Sequence, residues 1–165
     1  MLETPVNRRP LRLVNSEVIT MTSFYHVCFA VDDIEAAMAD LTAVAGTEWG
    51  QIRSDTLGEW SYHIVFSRDT PHIELIQGSP GSPWAGDVGS HFHHLGWWTH
   101  SLIDTADRLN EAGLPTTFDG CPVGRLFAYH RMDSIGGQVE IVDVAARKAF
   151  QQTWNPDGPP ADALR

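Results

Sequence analysis

The chain has 165 residues and a formal net charge of −10, with 42% hydrophobic and 19% charged residues. That length suits one domain, or two small modules sharing a core, and the acidic balance disfavours nucleic acid and anionic membranes as partners, because both require a basic surface. No apolar run approaches the roughly 18–20 residues that cross a bilayer, no apolar stretch of a signal peptide follows Arg8, Arg9 and Arg12, and two cysteines are too few for a disulfide framework, so a cytoplasmic protein with reduced thiols is expected.

Residues 1–22 have no clear period and contain Pro5 and Pro10, which reads as an N-terminal extension. Ser23 to Val31 alternates and is rich in β-formers, predicting a first strand. Asp33 then caps a helix carrying Ile34, Ala37, Met38, Leu41 and Val44, and Gly46 ends it. Trp49 to Arg53, Trp60 to Ser67 and Pro71 to Gln77 read as three further strands, with a turn over Asp55 to Gly58. The run Ser79-Pro80-Gly81-Ser82-Pro83 marks a linker over residues 79–90.

After the linker the order repeats. His93 to Thr99 is a strand, Ser101 caps a helix with Leu102, Ile103, Ala106 and Leu109, and Gly113 closes it. Thr116 to Phe118, Gly124 to Met132 and Gln138 to Val144 supply three strands, and residues 147–165, with Pro156, Pro159 and Pro160, read as an extended tail. The halves align at an offset of 68 (94 − 26 = 68): His26 with His94, the Asp33 cap with Ser101, Ile34 with Leu102, Leu41 with Leu109. With slight slippage Gly46 meets Gly113, Tyr62-His63 meets Tyr129-His130, and Glu74 meets Glu140. This predicts an α+β fold of two tandem βαβββ modules, residues 23–78 and 91–146, with helices outside a cupped mixed sheet.

Strand parity tests whether the repeated polar residues share a face. If Val27, Phe29 and Val31 pack beneath the helices, His26, Cys28 and Ala30 face the other way. The same rule applied to Leu95 and Trp97, to Ile73 and Leu75, and to Val139 and Ile141 leaves His94 with Trp98, Glu74, and Glu140 on that opposite face. Two imidazoles and two carboxylates suit a divalent metal ion (Zn, Ni, Co, Mn or Fe) with positions left for substrate. The repeat register selects His94 over His91 and His93, which become approach-loop residues.

The motifs Tyr25-His26-Val27, Ile73-Glu74-Leu75-Ile76, His93-His94-Leu95-Gly96-Trp97 and Val139-Glu140-Ile141 resemble the vicinal oxygen chelate superfamily, which includes glyoxalase I, methylmalonyl-CoA epimerase, extradiol dioxygenases and bleomycin or fosfomycin resistance proteins. The resemblance covers about Phe24 to Val144. It implies paired modules cupping one metal, with His26, Glu74, His94 and Glu140 as ligands, and the His-Glu-His-Glu set resembles bacterial glyoxalase I. The epimerases typically carry glutamine at the position of Glu74, a departure here. Members with four protein ligands mostly abstract a proton next to a carbonyl through a metal-stabilised enediolate.

Glu140 is the expected base, and His63, placed in the cup by assigning Ile64 and Phe66 to the helix side, is the candidate second acid/base. Trp98, Cys28 and Trp60 are expected at the substrate cavity, with Tyr62, Trp84 and Phe127 near its rim, favouring an apolar or aromatic small-molecule substrate. Arg53, Arg125 and Arg131 are candidate anion contacts. The leading expectation is a metal-dependent isomerase or epimerase acting as a homodimer. The alternatives are a glyoxalase I-type lyase, an extradiol-type dioxygenase and a non-catalytic binding or resistance protein.

Overall fold

The computed structural model describes residues 21–85 and 89–158; the predicted N-terminal extension lies almost wholly outside them. Strand β1 (Met21–Ala30) leads into helix α1 (Ile34–Ala45), followed by β2 (Arg53–Leu57), β3 (Trp60–Phe66) and β4 (His72–Gly78). The second module repeats this with β5 (His91–Thr99), α2 (Leu102–Glu111), β6 (Thr116–Asp119), β7 (Phe127–Met132) and β8 (Gly137–Asp143). A third helix, α3 (Arg147–Trp154), follows. The strands form one mixed sheet in the order β2-β3-β4-β1-β5-β8-β7-β6. Within each module the first and last strands run parallel, β1 with β4 and β5 with β8, and the antiparallel β1–β5 pair joins the two halves. The tandem βαβββ architecture is thus present.

Local sequence explains the helix boundaries. The Asp33 carboxylate accepts from Ala36 N–H at 3.0 Å, and Gly46 takes the left-handed conformation (φ +68) that ends α1. Ser101 accepts from Asp104 N–H in the same way, at 3.3 Å. Ile34 of α1 packs with Val31, Val65 and Leu75, while Leu102 and Leu109 of α2 pack with Ala128, Val139 and Ile141. Each such buried aliphatic contributes about 1.5–3 kcal/mol. A separate cluster of Cys28, Ala30, Leu57, Ile76 and Trp84 lines the inner face.

Three predicted elements shift. Strand β2 begins at Arg53 rather than Trp49, because the hairpin turns tightly at Gly58 (φ +59) and Glu59, with Leu57 opposite Trp60. Trp49 keeps only an isolated bridge to Ser67. Strand β7 starts at Phe127, since Cys121–Val123 forms a one-turn 3-10 helix before Gly124. The expected extended tail is helical over Arg147–Trp154, because Phe150 and Trp154, one turn apart, both pack on Phe66. Among the described residues no helix is long and apolar enough to cross a membrane.

Candidate metal centre and cavity

The duplicated residues converge at the middle of the sheet. His26 Nε2 lies 2.7 Å from His94 Nε2, 2.9 Å from Glu74 Oε2 and 3.4 Å from Glu140 Oε2. His94 Nε2 lies 3.5 Å from each carboxylate oxygen. All four side chains are buried. A tetrahedral ion with bonds of about 2.0–2.2 Å sets its ligand atoms roughly 3.3–3.6 Å apart; the 3.4 and 3.5 Å separations match this, while the His26–His94 and His26–Glu74 contacts are shorter. Among the described residues, the ion pairs of these two buried carboxylates are with imidazoles. A divalent cation would neutralise both charges, so the donor set fits a metal of the Zn, Ni, Co, Mn or Fe type. Although burial opposes ionisation of Glu74, His26 and His94 beside it hold its carboxyl well below the usual range.

Two β-bulges prepare this geometry, one per module. In the β1–β5 ladder Phe24 faces Trp97 and His26 faces Gly96, leaving Tyr25 as an extra residue; Cys28 faces His94 and Phe29 faces Phe92, leaving His93 extra. Each bulge directly precedes a candidate ligand. Tyr25 and His93 therefore escape simple alternation, and both bear on the site. The Tyr25 hydroxyl donates to Glu140 Oε2 at 3.3 Å, and burial, with Glu140 and Glu74 nearby, pushes its pKa well above the usual value, so it remains a donor.

His93 is not the approach-loop residue expected from parity. It is a buried strand residue with Nδ1 at 2.7 Å from His94 Nδ1 and Nε2 at 3.0 Å from the Pro83 carbonyl. Burial, then His94, lowers its pKa to about 4, keeping it neutral. If His94 presents Nε2 to a metal, its Nδ1–H donates to His93 Nδ1, and His93 Nε2–H then donates to Pro83, with the Gln138 side-chain amide, 3.1 Å from that nitrogen, turning its oxygen towards it. His93→Phe, which deletes the acceptor but keeps a ring, should weaken metal binding by about 10–100-fold in a chelator competition. His91 also belongs to β5 and contacts the Gly89 carbonyl.

Small residues make room for the rings. A Cβ built on Gly96 would lie 1.9 Å from His26 Cε1. Cys28, the duplicate of Gly96, contacts His94, and burial drives its thiol pKa upward.

A cavity of about 280 Å³ opens above Glu74 and Glu140, lined by Tyr25, Tyr62, Ile64, Phe66, Trp84 and Phe150 among others. Several sequence expectations change here. His63 points away from the cup: it is exposed and bonded to Ser54 Oγ at 2.8 Å, whereas Ile64 and Phe66 line the cavity. The cup interior is itself apolar, so an apolar alternation in β3 does not identify the helix side. Trp98 is on the inner face but is covered by Tyr25, stacked at 4.0 Å, and by Phe150 at 5.6 Å. Cys28 is fully buried beneath the lining, and Trp60 packs on Phe118 beside a neighbouring groove. Tyr62, Trp84 and Phe127 do line the cavity. Of the arginines, only Arg125 reaches it; Arg53 lies over the Trp154 ring and Arg131 pairs with Asp133.

Comparison with known proteins agrees with this architecture. Methylmalonyl-CoA epimerase from Mycobacterium tuberculosis superposes with a TM-score of 0.57 at 15% identity, over 80% of this chain and 93% of that one. A Streptomyces coelicolor methylmalonyl-CoA epimerase variant in complex with 2-nitronate-propionyl-CoA gives 0.55 at 19% identity, over 76% and 96%. A hypothetical protein from Bacillus halodurans C-125 gives 0.60 at 18% identity, over 73% and 93%. At these identities the likeness is one of fold. No match was found among curated proteins. The family model for the Glyoxalase/Bleomycin resistance protein/Dioxygenase superfamily matches residues 25–129, and the chain belongs to that superfamily.

Proposed function

We propose that the protein is a divalent-metal-dependent isomerase or epimerase that abstracts a proton from a carbon next to a carbonyl, on a small apolar or aromatic substrate. The observation that carries this reading is the convergence of His26, Glu74, His94 and Glu140 at the floor of an apolar cavity. When bound, a divalent ion supplies a Lewis acid that orients substrate oxygens and stabilises negative charge developing on them. Glu140 takes the proton: its carboxylate lines the cavity, and the Tyr25 hydroxyl holds its Oε2. The apolar walls limit water at the reacting carbon, and an ion held by the four side chains would orient the substrate oxygens beside Glu140.

With His63 outside the cup, Glu74 and Glu140 are the only carboxylates among the described residues lining the cavity. That observation favours a second reading, a glyoxalase I-type lyase, in which one carboxylate moves a proton between neighbouring carbons. The two readings separate in one experiment. Protein reconstituted with Co, Ni, Mn or Zn is supplied with aryl and alkyl α-acidic carbonyl compounds in deuterium oxide, and with hemithioacetals of common thiols. α-Hydrogen exchange without thioester formation supports the isomerase, thioester absorbance supports the lyase, and neither with any metal counts against both.

We also propose a homodimer. Supporting it is a ladder of half-exposed apolar pairs on the outer face of β1 and β5: Phe24 with Trp97, Val27 with Leu95, Phe29 with Phe92. Light scattering at the mass of a single chain would rule it out.

A further inference from the structure

Two of the aromatic side chains lining the cavity come from the segments that follow the last strand of each module. After β4 comes Trp84, buried, with Nε1 donating to the Tyr129 hydroxyl at 3.0 Å and its ring 4.7 Å from Tyr62. After β8 comes Phe150 of α3, edge-on to Phe66 at 4.8 Å and to Tyr25 at 5.3 Å. Trp84 and Phe150 are 66 positions apart (150 − 84 = 66), the spacing that separates Glu74 from Glu140 (140 − 74 = 66). The two side chains meet different residues of β3, Trp84 contacting Tyr62 and Phe150 contacting Phe66, and one is on a linker and the other on a helix. Ile64, Ile76, Phe127 and Val142 also line the cavity. Arg125, the one cation among the described residues lining the cavity, is tied to Asp55 at 2.5 Å and to the Thr56 carbonyl at 3.2 Å.

We propose that Trp84 and Phe150 are a pair of specificity walls that grip a single apolar ring, so that the site selects small aryl-bearing carbonyl compounds whose oxygens face the metal floor. This rests on the metal-anchored reading above. A volume of about 280 Å³ is at the lower end of ligand cavities and suits one ring with its adjoining oxygens. Aromatic faces and edges on two sides contribute contact beyond simple area burial.

The test uses the full chain loaded with cobalt(II), with acetohydroxamate and benzohydroxamate as probes that present two adjacent oxygens to the ion, and binding read from the cobalt absorption spectrum. The wild type should bind benzohydroxamate at least about tenfold more tightly than acetohydroxamate. Trp84→Ala and Phe150→Ala should each reduce that ratio to within about threefold while leaving acetohydroxamate binding nearly unchanged. A variant that does not give the wild-type cobalt spectrum is replaced by Trp84→Leu or Phe150→Leu, which keep apolar volume but remove the ring. A wild-type ratio near one, or an unchanged ratio in either wall variant, overturns the paired assignment. Absence of a cobalt spectrum in the wild type instead overturns the metal reading on which it rests.

Discussion

Gly96→Ala should abolish tight metal binding, although it adds only one methyl group, two residues after His94 and opposite His26 in the β1–β5 ladder. The added Cβ would sit 1.9 Å from His26 Cε1, 2.3 Å from Nδ1 and 2.7 Å from Nε2, so the ring must leave its place or β5 must move. Strand β5 is central, hydrogen-bonded to β1 on one side and β8 on the other, and gives little. His26 therefore swings and one of four donors is lost. Metal affinity should fall by more than the about 10–100-fold typical of disturbing an outer-shell partner. Overpacking should cost a further 1–3 kcal/mol, roughly, in chemical denaturation of the metal-free protein. Wild-type affinity in this variant would mean that the His26 ring does not occupy the space above Gly96.

Glu140→Gln should reduce α-hydrogen exchange by about 10²–10⁴-fold at saturating metal, the range that removal of a general base gives. The amide retains an oxygen that can face the ion but accepts no proton. Loss of rate with metal still bound therefore isolates the proton-transfer role from the ligand role. Glu74→Gln is the informative partner, because it places glutamine where the epimerases typically have it. Retention of most exchange in Glu74→Gln, with its loss in Glu140→Gln, is expected if Glu140 alone is the base. Exchange at the wild-type rate in Glu140→Gln would remove it from that role.

The four candidate ligands were legible in the sequence because duplication supplied a second copy of each and strand alternation placed both copies on one face. His26 with His94 and Glu74 with Glu140 satisfied both criteria, and the geometry brings their donor atoms together. Helices α1 and α2 were equally legible, since Asp33 and Ser101 carry caps and Gly46 and Gly113 follow the last turns. What alternation misplaced has two physical causes. The bulges at Tyr25 and His93 break the two-residue period, turning a residue assigned to a loop into the partner of His94. The cup is apolar inside, so Ile64 and Phe66 face the cavity and His63 faces outward. A bulge beside each duplicated histidine leaves no composition signal. The match of Tyr25 and His93 at the repeat offset of 68 (93 − 25 = 68) was the available hint.

Helix α3 is the other element the sequence concealed. Pro156 lies after the helix rather than within it, and the spacing of Phe150 and Trp154 is the only apolar period the helix offers. It nonetheless shapes the cavity. Phe150 covers Trp98, which alternation had placed at the wall, and takes over that wall itself.

The central claim is that one divalent ion is held by His26, Glu74, His94 and Glu140. The most direct measurement is anomalous diffraction from crystals of the metal-reconstituted protein. One peak per chain should lie about 2.0–2.2 Å from both Nε2 atoms and from a carboxylate oxygen of each glutamate. A fully reconstituted crystal with no peak there, or with the ion bound elsewhere and the two imidazoles still in direct contact, would contradict it.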